Sequence, residues 1–134
     1  MMRPAALLVQ GDARHLPLPD ASIQCVVSSP PYWGLRDYQL PPLVWDELGG
    51  CVHSWTSTEH SAGGGQPGEK ERWQHTGEGP LGHPKITSAF CLHCPAWRGS
   101  LGLEPDPTMY VQHLVEVFKE VRRVLRPDGT VWCN

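Results

Sequence analysis

The sequence lacks both a strong net charge and a long apolar run, and each absence excludes a class of protein. Its 134 residues carry a formal net charge of −3 at pH 7, so no overall charge attracts it to nucleic acid. Residues 1–9 are too few and too weakly apolar for a signal peptide or a membrane span. We therefore expect a cytoplasmic protein without a membrane partner.

Complete cysteine pairing is also excluded, because the five cysteines are odd in number. In a cytoplasmic protein, free thiols or metal ligands are more typical than disulfides. Cys91 and Cys94 form a Cys-x-x-Cys motif, and a Cys-x-His pair, Cys51 and His53, lies upstream. Thiolates at this spacing converge on one tetrahedral ion, so we predict a structural zinc site with these four ligands. A redox pair and ligation by His93 remain alternatives.

Two short apolar runs near the N-terminus predict β-strands. The first, Leu7-Leu8-Val9-Gln10, is closed by Gly11-Asp12, and the second spans residues 23–28. Neither run alternates polar with apolar residues, which favours strands covered on both faces, as in the parallel sheet of an α/β protein.

A helix and a further strand are predicted at the C-terminal end. Asp106 and Pro107 suit an N-cap and a first helical position, and Pro127 should end the helix. Arg126-Pro127-Asp128-Gly129 suits a turn before a strand that begins at Thr130. One helical face is apolar at three- and four-residue spacing: Tyr110, Val111, Leu114, Val117, Phe118, Val121 and Leu125.

Regular periodicity is absent from residues 46–105, which are rich in glycine and proline. A loop of this length is uncommon in a compact domain unless something else holds it, and a metal ion can do so. We therefore divide the chain into residues 1–45 and 106–134, with a zinc-stabilised insertion at 46–105. Trp55, Trp73 and Trp97 would either stack on bases or form the insertion's small core.

A stiff elbow, Ser28-Ser29-Pro30-Pro31-Tyr32-Trp33, follows the second strand. The prolines fix φ and remove two N–H donors, so carbonyls and the Ser29 hydroxyl project at the carboxyl end of a strand, where ligands bind in open α/β sheets. Acceptors beside Tyr32 and Trp33 favour a planar heterocycle that bears an amino group. A proline-rich turn with core aromatics is the alternative, and acyl transfer is disfavoured without a G-x-S-x-G motif.

These segments resemble the amino-methylating DNA methyltransferases, the N4-cytosine and N6-adenine enzymes of restriction–modification systems and phages. That family has the catalytic motif [D/N/S]-P-P-[Y/F/W], and Ser-Pro-Pro-Tyr is most typical of its N4-cytosine group. The matching residues are Gly11-Asp12-Ala13-Arg14, Pro19-Asp20-Ala21-Ser22-Ile23, 28–33 and 118–132. Residues 91–97 are also similar to an insertion in some phage-type members.

The resemblance implies methyl transfer from S-adenosylmethionine to an exocyclic amino group, most typically cytosine N4. Ser29 and the Pro30 carbonyl would accept hydrogen bonds from that amino group, with Pro31 completing the motif. Tyr32 would stack on a base flipped out of double-stranded DNA. Asp12 is a candidate for the adenosine end of the cofactor, although an ordinary turn explains it equally well.

The resemblance also implies that no cysteine acts covalently, so Cys25 and Cys133 are expected in the core. The glycine-rich cofactor loop of class I methyltransferases is missing. In the permuted order with an N-terminal catalytic motif, that loop lies C-terminal. We therefore expect an N-terminal fragment of a Rossmann-like α/β fold, inactive alone. The alternatives are an N6-adenine enzyme and a non-enzymatic, zinc-stabilised module that binds nucleic acid or protein.

Overall fold

The computed structural model describes residues 6–56, 58–61 and 85–134, and the chain divides into two compact units, Met1–Ser29 with Val115–Asn134, and Pro30–Leu114. The described residues form one helix and two small sheets, which confirms a mixed α/β class. None of the helical structure in these ranges is long and apolar enough to cross a membrane. The elements are β1 (Ile23–Ser28), β2 (Leu43–Trp45), β3 (Thr58–Ser61), β4 (Lys85–Phe90), β5 (Trp97–Gly99), α1 (Pro107–Val124) and β6 (Leu125–Cys133).

Strands β1 and β6 form the parallel pair that the apolar runs predicted. The register passes from Ile23 opposite Leu125 to Cys25 opposite Thr130, so the segment 126–129 bulges out of the ladder where a turn was predicted. The pairing extends to the end of β1, where the Asn134 N–H donates to the Ser28 carbonyl at 3.1 Å. The ladder therefore leads directly into the proline elbow.

Two expectations for this unit are wrong. Residues 7–10 form no strand and pair with none in the described ranges; the side chain of Leu8 is 97% exposed. Cys25 and Cys133 are exposed rather than in the core. Both errors have one physical cause, because a two-stranded sheet offers a side chain few neighbours to pack against.

Helix α1 begins as the sequence predicted. The Asp106 carboxylate accepts the N–H groups of Thr108 and Met109 at 2.8 and 3.0 Å, and the helix ends at Val124, shortly before the predicted stop. The predicted apolar face is buried or half-buried except at Val111, and the buried side also includes a polar residue. Val111 is 54% exposed, whereas His113 is only 1% exposed.

The end of α1 holds the turn that precedes β1. The Leu16 N–H donates to Glu120 Oε1 at 2.9 Å, and Arg123 donates to the carbonyls of Leu16 and Leu18, both at 3.0 Å. The Arg123 guanidinium also binds the Glu120 carboxylate at 2.8 Å. Hydrogen bonds from Arg123, aided by the Leu16 N–H, lower the pKa of Glu120 to about 2.

In the second unit, four short strands form an antiparallel sheet in the order β2-β5-β4-β3. This sheet differs from the predicted loop-rich segment because its strands, of three to six residues, are too short for a clear alternation. Trp45 and Phe90 flank Trp97 in the register. A Cβ on Gly99 would lie 2.1 Å from the Trp97 ring, so glycine makes room for that indole.

We expect Glu120→Gln to lower the melting temperature at pH 7 and to have little effect near pH 2. Because the pKa of this carboxyl falls from an ordinary 4.5 to about 2 on folding, its stabilisation is complete above about pH 4.5. It disappears as the pH falls through 2. Thermal unfolding between pH 7 and 2 measures the difference, with Glu116→Gln on the same helix as control. A difference that does not change with pH would contradict the assignment.

Candidate functional site

Within the second unit, hydrogen bonds hold the proline elbow on both sides of Tyr32. The Tyr110 hydroxyl donates to the Pro31 carbonyl at 2.8 Å. The Gly34 N–H donates to the Gly102 carbonyl, also at 2.8 Å, and Gly34 itself has a positive φ of 68°, a conformation that favours glycine. The elbow is therefore a supported turn with a defined shape.

The two aromatic side chains of the elbow have different surroundings. The Trp33 indole N–H donates to the Glu104 carbonyl at 3.0 Å, so this half-buried ring tethers the elbow. Tyr32 is 48% exposed and presents a ring that is free to stack. The sequence predicted stacking faces for both, and of the two rings Tyr32 is the more exposed; its stacking role stays a prediction.

The hydrogen-bond acceptors of the elbow also differ, because some are already engaged and others are not. Within the described ranges, no hydrogen bond engages the Ser29 hydroxyl or the Pro30 carbonyl, whereas Tyr110 occupies the carbonyl of Pro31. Ser29 is exposed and Pro30 is half-buried. The motif thus has two consecutive acceptors without a hydrogen bond in the described ranges, Ser29 and Pro30. The next acceptor, the Pro31 carbonyl, is already bonded to Tyr110. Its catalytic role stays a prediction.

Asp12 lies in the turn before β1, with its carboxylate turned to Arg14. The Arg14 backbone N–H donates to Oδ1 at 2.9 Å, and the guanidinium donates to both oxygens at 2.7–3.1 Å. These hydrogen bonds lower the pKa of Asp12. Because a carboxylate has about four lone-pair sites, Arg14 leaves little acceptor capacity for a cofactor hydroxyl.

The four predicted metal ligands meet at one place. One ligand atom each from Cys51, His53, Cys91 and Cys94 lies within 4.8 Å of the other three. Cys51 Sγ is 3.9 Å from Cys91 Sγ, and Cys94 Sγ is 3.5 Å from His53 Nδ1. The chain therefore gathers three sulfurs and one imidazole nitrogen into a compact group.

Backbone pairing brings the two halves of this cluster together. The Thr56 N–H donates to the Phe90 carbonyl at 2.9 Å, and the Leu92 N–H donates to the Ser54 carbonyl at 2.8 Å. A tight turn, closed by the Cys91 N–H on the Ala96 carbonyl at 2.8 Å, carries the Cys-x-x-Cys motif. Residues 51–56 thus lie antiparallel to residues 90–92.

The spacing of the donor atoms fits a tetrahedral zinc ion. With zinc–sulfur and zinc–nitrogen bonds of about 2.3 and about 2.0 Å, tetrahedral S···S and S···N edges are about 3.8 and about 3.5 Å. The S···S separation of 3.9 Å and the S···N separation of 3.5 Å are close to these values. These two edges fit a tetrahedral ion, and all four donor atoms lie within 4.8 Å of one another, so the cluster could hold a metal of this kind.

The contacts of Glu47 and His93 indicate which histidine is the better candidate for a metal ligand. The Nε2 atom of His53 lies 3.2 Å from a carboxylate oxygen of Glu47, which fixes the ring with Nδ1 toward the sulfurs, as metal-binding histidines require. His93 contributes its backbone N–H to Cys91 Sγ at 3.4 Å, and its side chain is exposed. The geometry favours His53 over His93, and no sequence motif pointed to Glu47.

The close thiols and imidazole also perturb one another's protonation. Sharing a hydrogen bond with Cys94 raises the pKa of Cys51 to about 12. Burial opposes ionisation of Cys91, but the His93 N–H and the His53 ring lower its pKa to about 5. Hydrogen bonding to Cys91 raises the pKa of His53 to about 9. The pKa values of the Cys91 and Cys51 thiols are therefore shifted in opposite directions by their shared surroundings.

The tryptophans near the cluster serve mainly as packing residues. Trp97 is fully buried, which supports the predicted core role. Trp55 lies with its ring centroid 4.8 Å from that of His53 and beneath the Arg98 guanidinium at 5.1 Å, a cation–π contact. Trp73 lies outside the described residues.

The sequence is similar to known methyltransferases over nearly its whole length. It is 29% identical over 131 residues to the Type II methyltransferase M.Cfr9I of Citrobacter freundii, a match of 96% of the chain and 25% of that protein. It is 28% identical over 129 residues to M.XycI of Xanthomonas campestris pv. cyanopsidis, covering 95% of the chain and 24% of that protein.

A further match, to the Type II methyltransferase M.SfiI of Streptomyces fimbriatus, is 30% identical over 117 residues, 87% of the chain and 14% of that protein. The chain thus spans about a quarter or less of the length of these curated relatives. No family model and no solved structure matches. The predicted resemblance to methyltransferases is confirmed.

We expect the chain to bind one zinc ion per molecule, and Cys91→Ser to reduce the bound zinc because one of four donors is lost. Elemental analysis of protein purified without chelator measures the ratio. His93→Ala is the matched control, since it removes the rival imidazole but no cluster atom, and it should keep the full complement. Unchanged zinc in Cys91→Ser, or zinc loss in His93→Ala, would contradict the ligand set.

Proposed function

We propose that this chain is the catalytic-motif part of a DNA methyltransferase that transfers a methyl group to the exocyclic amino group of cytosine at N4. The observation that carries the proposal is the elbow, where Ser29 and the Pro30 carbonyl are open acceptors beside the exposed Tyr32 ring. The similarity to Type II methyltransferases along 95% of the chain supports it. The protein would act as part of a longer polypeptide with double-stranded DNA as its substrate.

The acceptor pair addresses the main chemical difficulty of the reaction. The lone pair of a cytosine amino group is delocalised into the ring, so the nitrogen is a poor nucleophile. The Ser29 hydroxyl and the Pro30 carbonyl each accept one N–H of the amino group, which favours a tetrahedral nitrogen with its lone pair free. Because hydrogen bonds of the Tyr110 hydroxyl, the Trp33 indole and the Gly34 amide hold the elbow, these acceptors are positioned before the base arrives.

Tyr32 binds the base by stacking. A target base reaches the elbow only after it leaves the DNA duplex, and an aromatic ring replaces some of the lost stacking, worth about 1–3 kcal/mol per base. Trp33 is half-buried and its indole N–H is bonded to the Glu104 carbonyl, so we assign the stacking role to the more exposed Tyr32. The site therefore has one stacking ring and two acceptors for a single heterocycle.

The methyl donor proposed for the reaction is S-adenosylmethionine, which supplies an electrophilic methyl group when bound. Asp12 is the residue that we propose near its adenosine end, although the carboxylate binds a hydroxyl only if Arg14 gives up some of its contacts. The described residues thus provide chiefly the amino-acceptor side of the reaction.

We further propose that residues 1–45 and 106–134 belong to a Rossmann-like methyltransferase domain in the permuted order, with residues 46–105 inserted. The parallel pairing of β1 with β6 and the position of the elbow after β1 support this arrangement. The ion held by Cys51, His53, Cys91 and Cys94 would be structural zinc, because four protein donors leave no open position for a substrate.

We expect the polypeptide that carries this chain to form N4-methylcytosine in DNA, and Ser29→Ala to lower turnover on the order of 10²-fold. That is the usual loss when one positioned hydrogen-bonding group is removed. Methylated nucleosides are quantified by mass spectrometry after digestion of the DNA. The neighbouring Ser28→Ala is the matched control and should retain activity.

Three other outcomes of this experiment would each contradict a different part of the proposal. Full turnover by Ser29→Ala would refute the role of its hydroxyl. N6-methyladenine as the product would refute the cytosine assignment and leave the elbow chemistry intact. DNA binding without any methylated nucleoside would favour the alternative, a non-enzymatic zinc-stabilised binding module.

A further inference from the structure

A buried histidine lies at the centre of the second unit, between two carboxylates. His113 Nδ1 is 2.9 Å from Glu104 Oε1, and Nε2 is 3.0 Å from Asp46 Oδ2. The Glu104 side chain is fully buried, and that of His113 is 1% exposed. When both carboxylates are ionised, each ring nitrogen must donate, so the ring is an imidazolium.

Two indoles enclose the same ring. The Trp45 ring stacks on His113 with centroids 4.4 Å apart, and the Trp97 ring stacks at 5.4 Å. A cation between aromatic faces is favoured when it is desolvated. Asp46 adopts a positive φ of 54°, a conformation rare for residues other than glycine.

Hydrogen bonds connect His113 to the elbow through Glu104. Glu104 Oε2 accepts the Gly102 N–H at 2.8 Å, and the Gly102 carbonyl accepts the Gly34 N–H at 2.8 Å. The Glu104 carbonyl accepts the Trp33 indole N–H at 3.0 Å. Both tethers on this side of Tyr32 therefore end on a loop whose position is set by the Glu104 carboxylate.

The loop also touches the elbow closely. Gly102 has a φ of +90°, and a Cβ there would lie 3.0 Å from Pro31 Cβ and 3.2 Å from the Tyr32 carbonyl oxygen. A small displacement of Gly102 is thus transmitted to the motif without intervening solvent.

We propose that His113 is a positioning residue, which holds Glu104 and through it sets the geometry of the acceptor elbow. The inference rests on the proposed function for what the elbow does, but its structural content is independent. His113 touches neither base nor cofactor in this scheme. It acts by keeping the Glu104 carboxylate in the one orientation that serves both its ring and the Gly102 N–H.

The test follows two reporter protons, the Trp33 indole N–H and the Gly34 amide, by ¹H–¹⁵N NMR on the whole 134-residue chain. His113→Phe keeps an aromatic ring between the two indoles and removes both nitrogen donors. We expect both reporters to exchange with solvent about tenfold faster, the effect of weakening one hydrogen bond. Amides of the β4–β5 pair should keep their protection.

Controls separate positioning from general destabilisation. Gln112→Ala, exposed on the same helix, should leave both reporters unchanged, whereas Gly102→Ala should shift them by displacing the loop. If His113→Phe does not fold because it leaves the buried Glu104 unpaired, the double variant His113→Phe/Glu104→Gln removes that buried charge, whereas the Asp46 side chain is 40% exposed and can be solvated. The same two reporters are then measured in the double variant. Wild-type exchange at both reporters in either folded variant would overturn the proposal.

The unsubstituted chain supplies an independent measurement. Burial disfavours the imidazolium, but Glu104 and Asp46, the carboxylates that face it, raise the pKa of His113. The Trp33 signal should therefore shift on the alkaline side of the usual histidine pKa, with the same midpoint as the His113 ring signals. Independent titration of the two would also overturn the proposal.

Activity measurements distinguish this inference from the proposed function. In a methylating polypeptide, His113→Phe should lower kcat on the order of 10²-fold, the cost of a slightly misplaced reacting group, with little change in KM for DNA. An unchanged kcat would count against positioning. Absence of methylation in the unsubstituted protein would refute the function, while the NMR result would still decide the role of His113.

Discussion

The imidazole of His113 links most of the buried polar and aromatic groups described in the second unit. The ring contacts Trp45 at the end of β2 and Asp46 just after it. It also contacts Trp97 of β5 and Glu104 of the loop before α1. Each contact needs the others, because a buried charge without partners is strongly unfavourable and stacking alone leaves polar nitrogens unsatisfied. A segment poor in aliphatic residues therefore gains a defined interior from a polar centre with aromatic walls.

The metal-ligand cluster provides the second source of order in this unit. Its donors lie on two short backbone segments that pair with each other, so a bound ion would stabilise the same arrangement as the sheet. Together with the His113 centre, the cluster explains how strands of three to six residues persist. Small folds with a limited apolar core commonly rely on such additions.

The features that the sequence predicted well are those encoded locally. Asp106 and Pro107 start a helix from neighbouring residues alone, and Cys-x-x-Cys brings its own geometry. Burial of His113 could not be predicted in this way, because its partner Asp46 is 67 positions away and polar residues are ordinarily assigned to the surface. For residues 7–10 the sequence predicted a strand that the structure does not contain. An apolar run becomes a strand only where another strand pairs with it. Tyr110 was predicted as a core residue, and only the structure reveals what its hydroxyl does.

Tyr110 and His113 lie one turn apart on α1, and they support the elbow at different points, one directly and one through Glu104. Residues at this spacing share a helical face. A shift of this first part of the helix would therefore move both supports together, so the hydrogen bonds to the Pro31 carbonyl and to the Glu104 carboxylate depend on one short helical segment.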